Sequence, residues 1–429
     1  MSNRTDSVVR PIAGAILAGL VLSAVIGHAQ GPCMSQSDRR SVEESILDSI
    51  GETVGPSAGK PAGKPVGKPV GEASAAPFAE VPALRPFVSL TEPSGVTQLV
   101  DGRLLIVEDE AAHALRLVEV TESRLAASGQ SWTLGREIDV RPSDSWLTSL
   151  RLGPLEDIEG VALDNLGRVL VIGSHDDSAR RHREERRKLV RFSLDRDRRD
   201  EIAWRFDLRA VLVETYPALA ERIGEAASRG ESRIDPDDTH HAGVLNIEAL
   251  AFDRRRGELL VGLRTPLLGG DAIIVRLQNP DAWMDRRAPA RFAPELLRLD
   301  LDGGGLRALC YDDRADQLWL VSRREGDGEQ EGKDHGDEVG DFRLWRLPLL
   351  ERSSTARIAG SARAIRPRLV MLPEPSWLES VEGLTVLDRD SRTRGRLLFV
   401  RDERSSGKTD RAHWFALPRE SLTDASGRP

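Results

Sequence analysis

Asp157-Ile158-Glu159-Gly160-Val161, followed by the turn Asp164-Asn165-Leu166-Gly167 and the apolar run Val169 to Ile172, is one copy of a pattern that recurs five times. The other copies open with Glu92-Pro93-Ser94-Gly95-Val96, Asn246-Ile247-Glu248-Ala249-Leu250, Gly305-Leu306-Arg307-Ala308-Leu309 and Ser380-Val381-Glu382-Gly383-Leu384. Each continues through an Asp-bearing turn into a second apolar run: Leu104 to Val107, Leu259 to Val261, Leu318 to Val321 and Leu397 to Val400. A third run often follows, as in Ala114 to Val120, Lys188 to Leu194, Ala272 to Leu277, Phe342 to Leu347 and His413 to Leu417. Short apolar runs divided by Asp/Gly turns read as antiparallel strands.

From Ser94 through Glu159, Glu248 and Arg307 to Glu382, the copies are 65, 89, 59 and 75 residues apart. Each unit has room for three or four strands, the size of a propeller blade. The expected fold is therefore an all-β propeller of five blades, with six as the alternative count. A β-sandwich or two small β domains is the competing architecture, but a sandwich rarely repeats a whole pattern five times. The longest gap holds Leu208 to Ala227, where Val211, Leu212, Leu219 and Ile223 mark a helical insertion. Phe87-Val88-Ser89-Leu90 is expected to supply the outer strand that closes the last blade.

The flanks read differently. Arg4 and Arg10, an apolar run from Ile12 to Ile26, and Gly27-His28-Ala29 form a cleavable export signal over residues 1–29. That run falls short of the ~20 residues needed to cross a bilayer. Residues 30–85 carry the repeated Gly-Lys-Pro of Gly59 to Gly71, which buries nothing and reads as a tether. The propeller is expected over 86–420 with a tail at 421–429, in a protein that is periplasmic or extracellular and has no membrane span once the signal is gone.

Composition narrows the function classes. Of 429 residues, 61 are Lys or Arg and 69 are Asp or Glu; the net charge of -8, with no basic stripe, argues against a nucleic-acid partner. Two cysteines build neither a disulfide framework nor a Cys-rich zinc module. The absence of a Gly-x-Gly-x-x-Gly fingerprint argues against dinucleotide chemistry.

The Asp157 to Ala162 segment with Val171-Ile172-Gly173-Ser174-His175 resembles a bacterial family known as domain of unknown function 3616. So do Asn246 to Leu250 with Val261-Gly262-Leu263-Arg264-Thr265-Pro266-Leu267, Gly270-Asp271-Ala272, Leu277-Gln278-Asn279-Pro280 and Val381 to Leu384. The resemblance spans roughly residues 90 to 420 and implies a propeller-like fold; that family carries no established reaction. The Glu-Gly strand starts also look, more loosely, like those of calcium-dependent lactonase and phytase-like esterase propellers.

Residues two apart in a strand share a face, so Asp157 with Glu159, Asn246 with Glu248, and Ser380 with Glu382 are expected at one channel mouth. The common register there reads Ser94, Glu159, Glu248, Arg307, Glu382. Crowded carboxylates need a cation or hydrogen bonds, and Ca²⁺ takes several oxygen ligands. Glu159, Glu248 and Glu382, with Asp157 or Asn246, are the expected ligands; the competing reading has Arg307 salt-bridge one Glu. The ends of the second strands bring Asp109, Ser174-His175-Asp176, Arg264, Arg323 and Asp402 to the same mouth. Arg264, Arg307 and Arg323 suit an anionic small molecule, and His175 is the candidate general base. These residues point to a divalent-metal-dependent hydrolase of an anionic ester, phosphoester or lactone. The alternative is a non-catalytic propeller that binds an envelope ligand or protein. Asp235 to His241 has a metal-like composition, but its adjacent histidines would point to opposite faces of a strand. Glu325 to Asp341 lacks the order of a calcium loop and reads as a solvated hairpin loop.

Overall fold

The computed structural model describes residues 84–90, 92–109, 115–122, 132–139, 155, 157–176, 184–195, 201–228, 245–324, 341–349, 364–372, 374–390, 393–402 and 412–424. They form five four-stranded antiparallel sheets. The first blade is β2 (Pro93–Gln98), β3 (Leu104–Glu108), β4 (Leu115–Glu122) and β5 (Trp132–Asp139). The second is β6 (Ile158–Leu163), β7 (Val169–Gly173), β8 (Leu189–Phe192) and β9 (Ala203–Arg205). The third is β10 (Asn246–Asp253), β11 (Glu258–Leu268), β12 (Asp271–Leu277) and β13 (Leu297–Leu299). The fourth is β14 (Gly305–Asp312), β15 (Gln317–Arg324), β16 (Asp341–Pro348) and β17 (Arg368–Val370). The fifth joins β18 (Val381–Leu387), β19 (Arg396–Arg401) and β20 (His413–Pro418) to β1 (Arg85–Pro86), the N-terminal strand.

The inner strands β2, β6, β10, β14 and β18 pack side by side in a closed ring. This is a five-bladed β-propeller, and the repeat count of five is the blade count. The closing strand lies two residues earlier than expected: Arg85 pairs with Trp414 and Pro86 with His413. Phe87 and Leu90 still follow β20, through Phe87 N to Ala412 O at 2.9 Å and Ala412 N to Leu90 O at 3.2 Å. Their side chains are buried in the core between the fifth and first blades.

Each hairpin turns where its Asp captures backbone. Asp164 Oδ1 accepts from the Leu166 and Arg168 amides at 2.8 and 2.9 Å, which folds the turn around Gly167 at φ +73°. Asp253 and Asp312 do the same for Arg256 and for Arg314 and Ala315. Between the turns the strands are apolar on both faces, because each sheet is sandwiched between two others. Five apolar clusters fill the spaces between neighbouring blades. Each fully buried Leu, Ile or Phe there contributes about 1.5–3 kcal/mol.

The helical insertion is two helices, α1 (Leu208–Thr215) and α2 (Pro217–Ser228). Pro217 denies Tyr216 the helical region, and Tyr216 adopts φ -122°, ψ 93°. Leu208, Leu212, Leu219 and Ile223 bury against the second and third blades. Past β20 the chain stays on the propeller: Leu422 is buried and Asp424 bridges to Val370. The described fold thus reaches four residues into the expected tail, and its first described strand begins at Arg85, inside the expected tether. Residues 1–83, Asp235 to His241 and most of Glu325 to Asp341 lie outside the described residues.

Candidate functional site

Every inner strand carries one β-bulge near its start. The pairing skips from Pro93 to Gly95, Ile158 to Gly160, Ile247 to Ala249, Leu306 to Ala308 and Val381 to Gly383. The unpaired residues are Ser94, Glu159, Glu248, Arg307 and Glu382, the five that the repeat register aligns. An extra residue re-aims its side chain out of the sheet, here into the axis.

The small residue after each bulge has a packing reason. A Cβ on Gly383 would lie 2.5 Å from Val400 Cγ2 and 3.0 Å from Gly95 Cα; one on Gly160 would lie 2.7 Å from Leu250 Cβ. The inner strands therefore meet almost backbone to backbone. The axial cavity between them, lined by Ser94, Glu159, Glu248 and Glu382, has a volume of about 10 Å³. That is room for a single water.

The ring is held by ion pairs. Arg307 donates from Nη1 to Glu248 Oε2 and from Nη2 to Glu382 Oε1. Glu248 also receives Arg264 Nη1 at 2.7 Å and Asn246 Nδ2 at 3.0 Å, both on Oε1. Burial alone would raise the Glu248 carboxyl, but the two guanidiniums outweigh it and hold it below its ordinary value. For Glu382, burial and then the nearby Glu248 charge outweigh Arg307 and Arg264 and push the carboxyl up to about 7. The carboxylates in turn raise Arg307 above its ordinary value.

Glu159 stands apart. None of the hydrogen bonds among the described residues ends on its carboxylate. It comes together instead with Asp157 and with Asp109, at the end of β3: one oxygen of each lies within 4.8 Å of the others. Burial, then Glu248, Asp157 and Asp109, pushes Glu159 well up, against Arg307. Burial and Asp157 raise Asp109 to about 7. Asp157 is fixed by its backbone at φ 57°, with its N–H donating to Asp109 O and its carbonyl accepting from Ser174 N. Its Oδ2 receives the Ser174 hydroxyl and, at 3.2 Å, Arg186 Nη1.

The expected ligand set is thus divided. Asp157 does meet Glu159, and Asn246 meets Glu248, as strand alternation requires. Glu248 and Glu382 face guanidiniums and Asn246 donates to Glu248, whereas Glu159 faces two carboxylates. Arg264 and Arg307 are engaged by the ring rather than directed at an open space, and Arg323 stacks on Phe342, 5.5 Å from the ring centroid. His175 is fully buried and does not line the axial cavity. Its Nδ1 lies 2.9 Å from Gly173 O, and because a carbonyl only accepts, Nδ1 carries the proton. Burial lowers His175 to about 4, so it is neutral near pH 7. Arg186, in the short turn before β8, is a site residue that strand periodicity had no means to reveal.

Residues 239–415 match the model of a family described as "Protein of unknown function (DUF3616)". The match runs from the third blade into β20 and agrees with the resemblance carried by Asn246 to Leu250 and Val381 to Leu384. No curated protein matches the chain. Among solved structures, the PQQ-bound aldose sugar dehydrogenase from Streptomyces coelicolor aligns at 14% identity and TM-score 0.31, covering 80% of this chain and 100% of that one. Kuenenia stuttgartiensis hydrazine synthase aligns at 10% identity and TM-score 0.33, covering 76% and 80%. A Trichoderma reesei enzyme of carbohydrate-active family AA12 aligns at 9% identity and TM-score 0.34, covering 79% and 96%. Likenesses of this depth carry no argument about activity.

Proposed function

We propose that the protein is an exported propeller that binds a divalent cation at the mouth of its axis, through Asp109, Asp157 and Glu159. The observation that supports this is the approach of three carboxylates, one oxygen of each within 4.8 Å of the others, of which Asp157 also pairs with Arg186 at 3.2 Å. Oxygen-only donors suit calcium, which completes its shell with carbonyls and water. A cation there would offset the burial and, after it, the mutual repulsion that now raise Asp109 and Glu159.

The cation serves ligand binding more readily than turnover. The axial cavity holds no more than a water, Arg264 and Arg307 are taken up by carboxylates, and His175 is buried and neutral. Export is supported by the basic and apolar N-terminal sequence. Among the described residues, no helix is long and apolar enough to cross a membrane.

The test is a thermal melt of the parent and of Asp157→Asn, in millimolar calcium and in chelator. Calcium is expected to raise the parent's melting temperature and leave the variant's unchanged, because a ligand stabilises only the state that binds it. No shift in the parent overturns the reading. A panel of anionic esters, phosphoesters and lactones is run alongside; chelator-sensitive turnover would make the protein a metal-dependent hydrolase rather than a binding module.

A further inference from the structure

The seam between the fourth and fifth blades is bridged at both ends of β14. At the axis, Arg307 near the start of β14 pairs with Glu382 of β18. At the far end, Asp312 receives Arg419 Nη1 at 2.6 Å, while Arg419 Nη2 reaches Asp388 of the fifth blade at 2.7 Å. Asp312 is almost wholly buried and Arg419 largely so.

Arg419 opens a short strap, Arg419 to Asp424, that leaves β20 and crosses to the rim of the fourth blade. Arg419 N donates to Gly395 O at 2.8 Å, so the strap starts anchored on its own blade. Leu422, with no exposed surface, then enters the apolar cluster of Val370, Leu372, Trp377 and Phe415 that fills this seam. Met371 N donates to Thr423 O at 3.3 Å, and Asp424 bridges antiparallel to Val370 of β17.

The opposite seam is fastened by the segment that follows β1. The Val88 and Ser89 amides and the Ser89 hydroxyl donate to the Glu137 carboxylate of β5 at 2.6, 2.8 and 2.6 Å. β1 itself is only two residues long. A strand that short is a weak closure for a ring in which every blade depends on both neighbours.

The geometry points to a clasp: the strap Arg419 to Asp424, not β1 alone, locks the fifth blade, and it holds the register at which Arg307 meets Glu382 across the seam. The ring then opens at the seam between the fourth and fifth blades when the strap is released. This inference is independent of the cation reading, since its residues lie outside the carboxylate cluster.

The test is hydrogen exchange on the full chain, on Arg419→Gln and on a chain ending after Pro418. Both variants are expected to raise amide exchange in β14, β17 and β18 by about tenfold or more, with β6, β7 and β8 unchanged. Arg419→Gln keeps the strap's backbone and covers the case in which the shortened chain fails to fold. Uniform acceleration across all blades, or faster exchange confined to β1 and β20, overturns the clasp.

Discussion

Arg307 reaches Glu248 from the neighbouring blade and shares that carboxylate with Arg264, so one buried anion answers two guanidiniums. The arrangement assigns Glu248 a structural role at the axis. Removing one partner of a buried ion pair leaves the others desolvated and unmatched, a loss of about 3–5 kcal/mol. Glu248→Gln keeps the shape and some hydrogen bonds, so its loss is expected at the low end, about 3 kcal/mol. Denaturant melts of the variant should show this loss equally in calcium and in chelator. A loss seen only with calcium would instead make Glu248 a cation ligand.

Two glycines give a contrast in opposite directions. Gly383→Ala, on the inner strand β18, places its Cβ 2.5 Å from Val400 Cγ2 and 3.0 Å from the Gly95 backbone. Overpacking of this kind costs about 1–3 kcal/mol, and the backbone side of the contact has little room to yield. A Cβ on Gly224, inside α2, would instead point into open space, with no neighbouring element within 4 Å. Gly224→Ala should stabilise by about 0.4–1 kcal/mol through the unfolded chain. Chemical denaturation of the two variants in parallel checks both signs.

Much of this architecture is legible in the sequence because the repeat does the aligning. Strand alternation cannot display a β-bulge, yet Ser94, Glu159, Glu248, Arg307 and Glu382 fall into one register because all five copies carry the bulge at the same place. The helical insertion is equally readable from its apolar spacing, and Pro217 marks where it divides. The closing strand sits two residues from its expected place because a two-residue strand has no period to read. The division of the ring carboxylates depends on which guanidinium reaches which oxygen. Arg186 approaches Asp157 from a turn outside the repeat, and no pattern links the two.

Glu382 carries the pH prediction. Its carboxyl rises from an ordinary 4.5 to about 7 in the folded chain, chiefly through burial and against the pull of Arg307. Between those values the folded state holds a proton that the unfolded state has released. Stability from this group is therefore present at low pH and lost as pH rises from about 4.5 through about 7. Gln at this position mimics the protonated acid and does not titrate. Glu382→Gln should melt close to the parent near pH 5 and gain on it steadily toward pH 8. Glu248 behaves oppositely: its lowered carboxyl contributes stability that is present above its unfolded value and is lost as pH falls through the folded one. Melting curves of parent, Glu382→Gln and Glu248→Gln, all in chelator, compare the two slopes: Glu382's above about pH 4.5, and Glu248's only below about pH 4.5. If Glu382→Gln instead falls further behind the parent as pH rises, the ion pair with Arg307 outweighs burial and the assigned direction is wrong.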